Sequence, residues 1–159
     1  MSNAPAENII EPAGNGAERS SFEDYLKEHG KLIYTNVGDS MEPFICQGRD
    51  LLVIVPQKGR LKKYDVPLYK RDSGQYVLHR VVRVCENDYV ICGDNRWGLE
   101  KGITDRHIIG VLSAVIRDGK EISVNSLRCR VYARVWYLLY PVRALVLRTG
   151  SFIRHHFRS

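Results

Sequence analysis

Apolar and polar positions divide the chain into three stretches. Residues 1–20 are rich in Ala, Asn, Glu, Gly and Pro and carry almost no apolar period, which predicts a disordered leader. Ser20 or Ser21 then reads as a helix N-cap, with Glu23 and Asp24 in an acid-favouring first turn and Gly30 as the stop. Phe22, Tyr25 and Leu26 supply the apolar stripe of that short helix. From residue 31 the period shortens to that of strands. Runs at 31–37, 51–55, 66–70, 76–84, 89–92, 107–117 and 121–124 are rich in β-branched residues and are punctuated by Gly, Pro, Asn and Asp. The expectation is a mainly antiparallel β domain of short strands and long loops, bounded with its leading helix at 21–125.

Beyond 125 the period lengthens again. Residues 126–140 and 142–157 read as two helices separated by Pro141. Leu127, Val131, Val135, Leu138 and Leu139 share one face of the first. Charge changes the picture here. The formal net charge is +6, yet seven arginines and no acid lie from Leu127 onward, so the preceding residues are nearly neutral. Residues 126–159 therefore form a basic amphipathic tail with two readings of equal weight. It lies on an anionic membrane surface, apolar face down, or its stripe packs on the β domain and leaves the arginines solvated. Nucleic acid is a weaker partner, because no recognised binding motif accompanies the arginines and aromatics.

Apolar content of 44% and charged content of 26% exclude wholesale disorder. No window approaches the ~20 apolar residues of a spanning helix, and no secretory signal is read at the N-terminus. A peripheral membrane or cytoplasmic location is expected. Cys46, Cys85, Cys92 and Cys129 form no paired motif and no cluster with histidine. They read as reduced thiols, which favours a reducing compartment, and no metal or cofactor is expected. His155 and His156 read as solvated end residues.

Two residues carry the candidate chemistry. Ser40 sits in Gly38-Asp39-Ser40-Met41-Glu42-Pro43, a tight break after a strand that would hold a hydroxyl proud of the sheet. Such a sequence is also ordinary turn chemistry. His79 lies within an apolar strand, in Leu78-His79-Arg80-Val81-Val82, where an imidazole titrating near 6.5 suits general-base work as well as a plain core position. Asp94 and Glu100 are the acids placed to orient it.

In order and spacing, the Ser40 segment, Lys63-Tyr64-Asp65-Val66, the His79 segment, Gly93-Asp94-Asn95-Arg96 and Ile108-Ile109-Gly110-Val111 resemble the signal peptidase I superfamily, which includes the LexA-type self-cleaving repressors. The resemblance covers about residues 32–117 and neither the leader nor the tail. It implies a signal-peptidase/LexA-like β fold with Ser40 as nucleophile. His79 occupies the position of a general base, lysine in the common bacterial enzymes and histidine in the endoplasmic-reticulum and SipW type. Gly38, Asp39, Met41 and Pro43 would shape the nucleophile turn and oxyanion site. Glu100 is favoured as the partner of His79, and Asp94 as a structural support. The implied activity is a serine endopeptidase that removes signal or leader peptides from an extended peptide or leader-bearing protein. The alternative is a non-catalytic regulatory or peptide-binding protein on the same fold. The residues depart from the family's pattern in that no N-terminal anchor is expected from them, in placing Tyr64 where a glycine commonly stands, in offering Glu100 for an aspartate, and in having Gly38 where a hydroxyl donor is common.

Overall fold

The structure, a computed structural model, describes residues 21–35 and 37–156, with side chains described as far as 149. The leader at 1–20 lies outside the described residues. The first helix, α1 (Phe22–His29), begins where the sequence places it: Ser21 Oγ accepts the Asp24 N–H at 3.1 Å. Gly30, at φ +66°, closes it by donating to the Leu26 carbonyl, a left-handed stop that glycine adopts without steric cost. Phe22 and Leu26 are buried against the sheet, whereas Tyr25 faces outward and stacks on His29.

Strands β1 (Leu32–Thr35), β2 (Asp50–Val55), β3 (Pro67–Lys70), β4 (Tyr76–Leu78), β8 (Ile108–Arg117) and β9 (Lys120–Ser123) form one antiparallel sheet. Its order is β1-β2-β8-β3-β4, with β9 paired to β8. Strands β5 (Arg80–Val84), β6 (Tyr89–Cys92) and β7 (Glu100–Ile103) form a second antiparallel sheet. Two apolar clusters follow. One joins α1 to the large sheet through Leu52, Ile54, Leu68 and Leu112; the other lies around Tyr69, Val81, Tyr89 and Ile91.

The strand expected at 76–84 is broken at His79. Tyr76–Leu78 pairs with β3, while Arg80–Val84 pairs with β6, so the chain changes sheets at the histidine. An unbroken apolar run cannot signal such a switch, because both halves present the same β pattern. Strand β7 lies in a stretch for which no strand is expected; its polar composition, Glu-Lys-Gly-Ile, hides its pairing with β6. In the tail, α2 (Leu127–Leu138) and α3 (Tyr140–His156) meet at Leu139 rather than at Pro141. Pro141 sits in the first turn of α3, where a missing N–H costs nothing.

Asp50 pins β2 to β8. It is fully buried and accepts two hydrogen bonds each from Arg117 (2.8 and 2.9 Å) and Arg49 (both 3.0 Å), and one from Cys46 N–H at 2.8 Å. Burial alone would raise its pKa, but the bonds from Arg117, Arg49 and Cys46 outweigh it and hold the carboxyl well below the usual range. A depressed folded-state pKa contributes stability that is present above the unfolded value, about 4, and is lost as pH falls towards the folded one. Thermal melts should therefore show the wild type losing stability below about pH 4. Asp50→Asn should be less stable at neutral pH and flatter across the acid range.

Candidate active site

The Ser40 turn is built on two anchors. Met41 and Ile45 are fully buried in the main core, and Ile45 N–H donates to the Met41 carbonyl at 2.9 Å, closing a helical turn behind the serine. Glu42 N–H donates to the Asp39 carbonyl at 3.0 Å. Gly38 has φ +97°, a conformation that disfavours side chains, and its N–H donates to Gln47 Oε1 at 2.7 Å. This engagement leaves the Gly38 amide committed to Gln47. Position 38 carries no hydroxyl.

The 93–96 loop clamps that turn from the other side. Asn95 N–H donates to the Ser40 carbonyl at 2.8 Å, and Asn95 Nδ2 donates to the Asp39 carbonyl at 3.2 Å. Arg96 Nη2 reaches Asp39 Oδ1 at 2.7 Å. Gly93 explains why the loop approaches so closely. A Cβ there would stand 2.6 Å from the Ser40 carbonyl oxygen and 3.1 Å from His79 Nε2. The Ser40 backbone and the imidazole therefore converge on one point, separated by no more than the sum of those distances. Gly93→Ala is expected to push the Ser40 turn away from His79. If Ser40 and His79 act as a pair, the activity they support should fall by about 10²-fold, the scale on which small misplacements act, with the far-ultraviolet circular dichroism spectrum little changed.

The expectation of a hydroxyl standing proud is not met. Ser40 is 5% exposed and His79 7% exposed. The buried Met41 and Ile45 draw the turn inward, and the 93–96 loop packs over it. A side chain so placed is reached by another molecule only when its cover moves.

The acids separate cleanly. Asp94 is 0% exposed and pairs in fork fashion with Arg80, at 2.9 and 2.8 Å. Tyr132 and Tyr137 donate to it at 3.3 and 3.2 Å. It is a buried counter-ion to Arg80. Glu100 lies on the His79 side, but through an intermediary. Tyr69 O–H donates to Glu100 Oε2 at 2.7 Å, and the same phenol oxygen is 3.4 Å from His79 Nδ1. Arg71 holds both Glu100 oxygens at 2.7 Å. Burial would raise the Glu100 pKa, but Arg71 and Tyr69 outweigh it and hold the carboxyl low. Burial, with Glu100 beside it, pushes the Tyr69 phenol well up, so Tyr69 stays protonated as a donor.

Sequence reasoning missed Tyr69, Arg71 and Arg80, and gave no role to Asn95 and Arg96 beyond their motif. Tyr69 alternates inward on a β strand like any core aromatic, and only the tertiary fold brings it between Glu100 and His79. Arg80 carries a weak signal, since a charged residue next to His79 in an apolar run needs a partner when buried. The cysteines are free; burial pushes the Cys92 thiol up to about 11, which makes it unreactive. Among the described residues no group of His, Cys, Asp and Glu could hold a metal ion.

The tail also belongs to this neighbourhood. Trp136 Nε1 donates to the Asp94 carbonyl at 2.9 Å, Tyr137 O–H to the Cys92 carbonyl at 3.2 Å, and Tyr140 O–H to the Trp97 carbonyl at 2.6 Å. Tyr132 stacks on Phe44, and Arg143 lies over the Trp136, Tyr137 and Tyr140 rings at 4.8, 5.2 and 5.5 Å. The aromatic face thus docks on the β domain. Of the two readings of the tail, the one that packs the Leu/Val stripe on the β domain does not hold: Leu127 and Leu138 are 75% and 79% exposed.

Comparison with protein-family models, curated proteins and solved structures finds no match to this chain.

Proposed function

We propose that this protein is a serine endopeptidase of the signal peptidase I-like, Ser-His type. The convergence of the Ser40 backbone and His79 Nε2 on Gly93 carries the reading. In this mechanism His79 removes the Ser40 proton as the hydroxyl attacks a peptide carbonyl, then gives it to the departing amine. Water, activated by the same imidazole, hydrolyses the acyl-enzyme. Glu100 acts on His79 through Tyr69, and the Ser40 N–H faces the developing oxyanion.

A second observation supports the family likeness. Tyr64, standing where that family commonly has a glycine, adopts φ +80°. Non-glycine residues enter this region at a cost of roughly 1–2 kcal/mol, so the backbone keeps the glycine conformation without the glycine. Tyr64 is held by its N–H bond to the Val81 carbonyl at 2.8 Å and by its ring against Tyr137. The substrate class on this reading is an extended signal or leader segment. The enzyme works at a membrane surface or in the cytoplasm; among the described residues no helix is long and apolar enough to cross a membrane.

The test is a comparison of protein and peptide N-termini in source cells carrying wild type or Ser40→Ala at matched abundance. A defined set of termini lost in the mutant supports the peptidase. No change under several growth conditions overturns it in favour of a peptide-binding role.

Within this mechanism Tyr69 is a positioning residue. Tyr69→Phe should lower kcat by about 10-fold, at the lower edge of what acid–base partners contribute, with little change in KM. It should also move the acid limb of the pH–rate profile, which a purely structural role would leave in place.

A further inference from the structure

We propose that the outward face of α2 and α3 is a docking face for anionic lipid surfaces. The large apolar residues Leu127, Val131, Leu138, Val142, Leu145 and Val146 are each at least half exposed. With Val135, the series 127, 131, 135, 138, 142, 145 advances in steps of three and four, so one ridge continues across the junction at Leu139. An apolar ridge of this length is far more than the scattered surface hydrophobics of an ordinary fold.

The helices cannot rotate to bury it. Their opposite face is committed through Tyr132, Trp136 and Tyr137 to Asp94 and its loop. Turning α2 would strip hydrogen bonds from the buried Asp94–Arg80 pair.

Charge selects the occupant. Arg128, Arg130, Arg134 and Arg148 are exposed beside the ridge, and no acid lies from Leu127 to the C-terminus. A second copy meeting the same face would bring like charges together, whereas anionic headgroups complement them. With no crossing helix among the described residues, the geometry is that of a helix lying in the interface plane. An apolar cleft of about 470 Å³, lined by Glu42, Pro43 and Asn95 on one side and Trp136, Val142 and Val146 on the other, joins this ridge to the Ser40 turn. Docking would therefore bring the turn close to the headgroups.

The inference does not depend on catalysis, and it is tested with the full chain carrying Ser40→Ala. Its co-sedimentation is measured with vesicles of phosphatidylcholine alone and of equimolar phosphatidylcholine and phosphatidylglycerol, at low and high salt. Strong partitioning is expected only into the anionic vesicles at low salt. Leu138→Asp with Leu145→Asp should weaken it by at least about 10-fold, the loss expected on removing one buried leucine. Arg130→Gln with Arg134→Gln should weaken it by roughly 5-fold per charge and serves as a second variant independent of the apolar positions. Both should melt close to the parent: Leu138 and Leu145 are exposed, and the exposed Arg130 and Arg134 give up only the Arg134 contacts with the Tyr64 ring and the Arg130 carbonyl. Absence of partitioning into anionic vesicles overturns the proposal, as does equal partitioning of both variants. Self-association that the Asp variant disperses, without vesicle binding, assigns the ridge to a second copy instead.

Discussion

Ser40→Ala and His79→Ala are each expected to reduce cleavage to the level that binding and oxyanion contacts alone sustain, a loss on the order of 10⁴- to 10⁶-fold. Both variants should fold. Each removes a few polar atoms from a site whose frame is set elsewhere: Met41 and Ile45 hold the turn, and Asn95 and Arg96 clamp it. The double variant should be no worse than either single one, because a nucleophile and its base fail as a unit. The check is single-turnover cleavage of a peptide spanning a terminus that depends on Ser40, with thermal melts alongside. Retained cleavage in both single variants would falsify the assignment.

Asp94→Ala is expected to give the largest loss of stability, about 3–5 kcal/mol, because it leaves the Arg80 guanidinium buried without its counter-charge. At roughly 2–4 °C per kcal/mol for a chain of this size, the melting temperature should fall by about 10 °C. The tail should loosen with it, since Tyr132 loses its acceptor and Tyr137 one of its two. Replacing the pair together, Asp94→Leu with Arg80→Met, should recover much of the loss, as apolar replacements of buried ion pairs often do. That double variant separates two roles for Asp94. If the carboxylate is a structural counter-ion, a folded double variant still cleaves; if it orients His79 itself, cleavage is lost although the fold is restored.

Much of the architecture was legible in the sequence for local reasons. Ser21, Glu23, Asp24 and Gly30 announce α1 because caps and dipole partners act within a turn. The β-branched runs announce β1, β2, β6 and β8 because a half-buried pleat favours them. The candidate site was legible in outline: Ser40, His79, Asp94 and Glu100 could be named, but not their connections. Tyr69 illustrates the gap. Nothing local distinguishes it from a packing aromatic, and its role arises only where β3 brings it between two residues distant in sequence.

The sequence by itself determined the mainly antiparallel β composition and the helical basic tail, and it named Ser40 and His79 as the candidate reactive pair. These depend on periodicity, capping and side-chain chemistry over a few neighbouring residues. The tertiary structure alone decided that the chain changes sheets at His79, that Glu100 reaches it through Tyr69, and that Asp94 is spent on Arg80. It alone decided which face of the tail is buried. Period 3.6 places Leu127, Val131, Val135 and Leu138 on one side of a helix but does not say what that side meets. Here the buried carboxylate of Asp94 and the carbonyls of Cys92, Asp94 and Trp97 demanded hydrogen-bond donors, and Tyr132, Trp136, Tyr137 and Tyr140 could supply them while the aliphatic side could not.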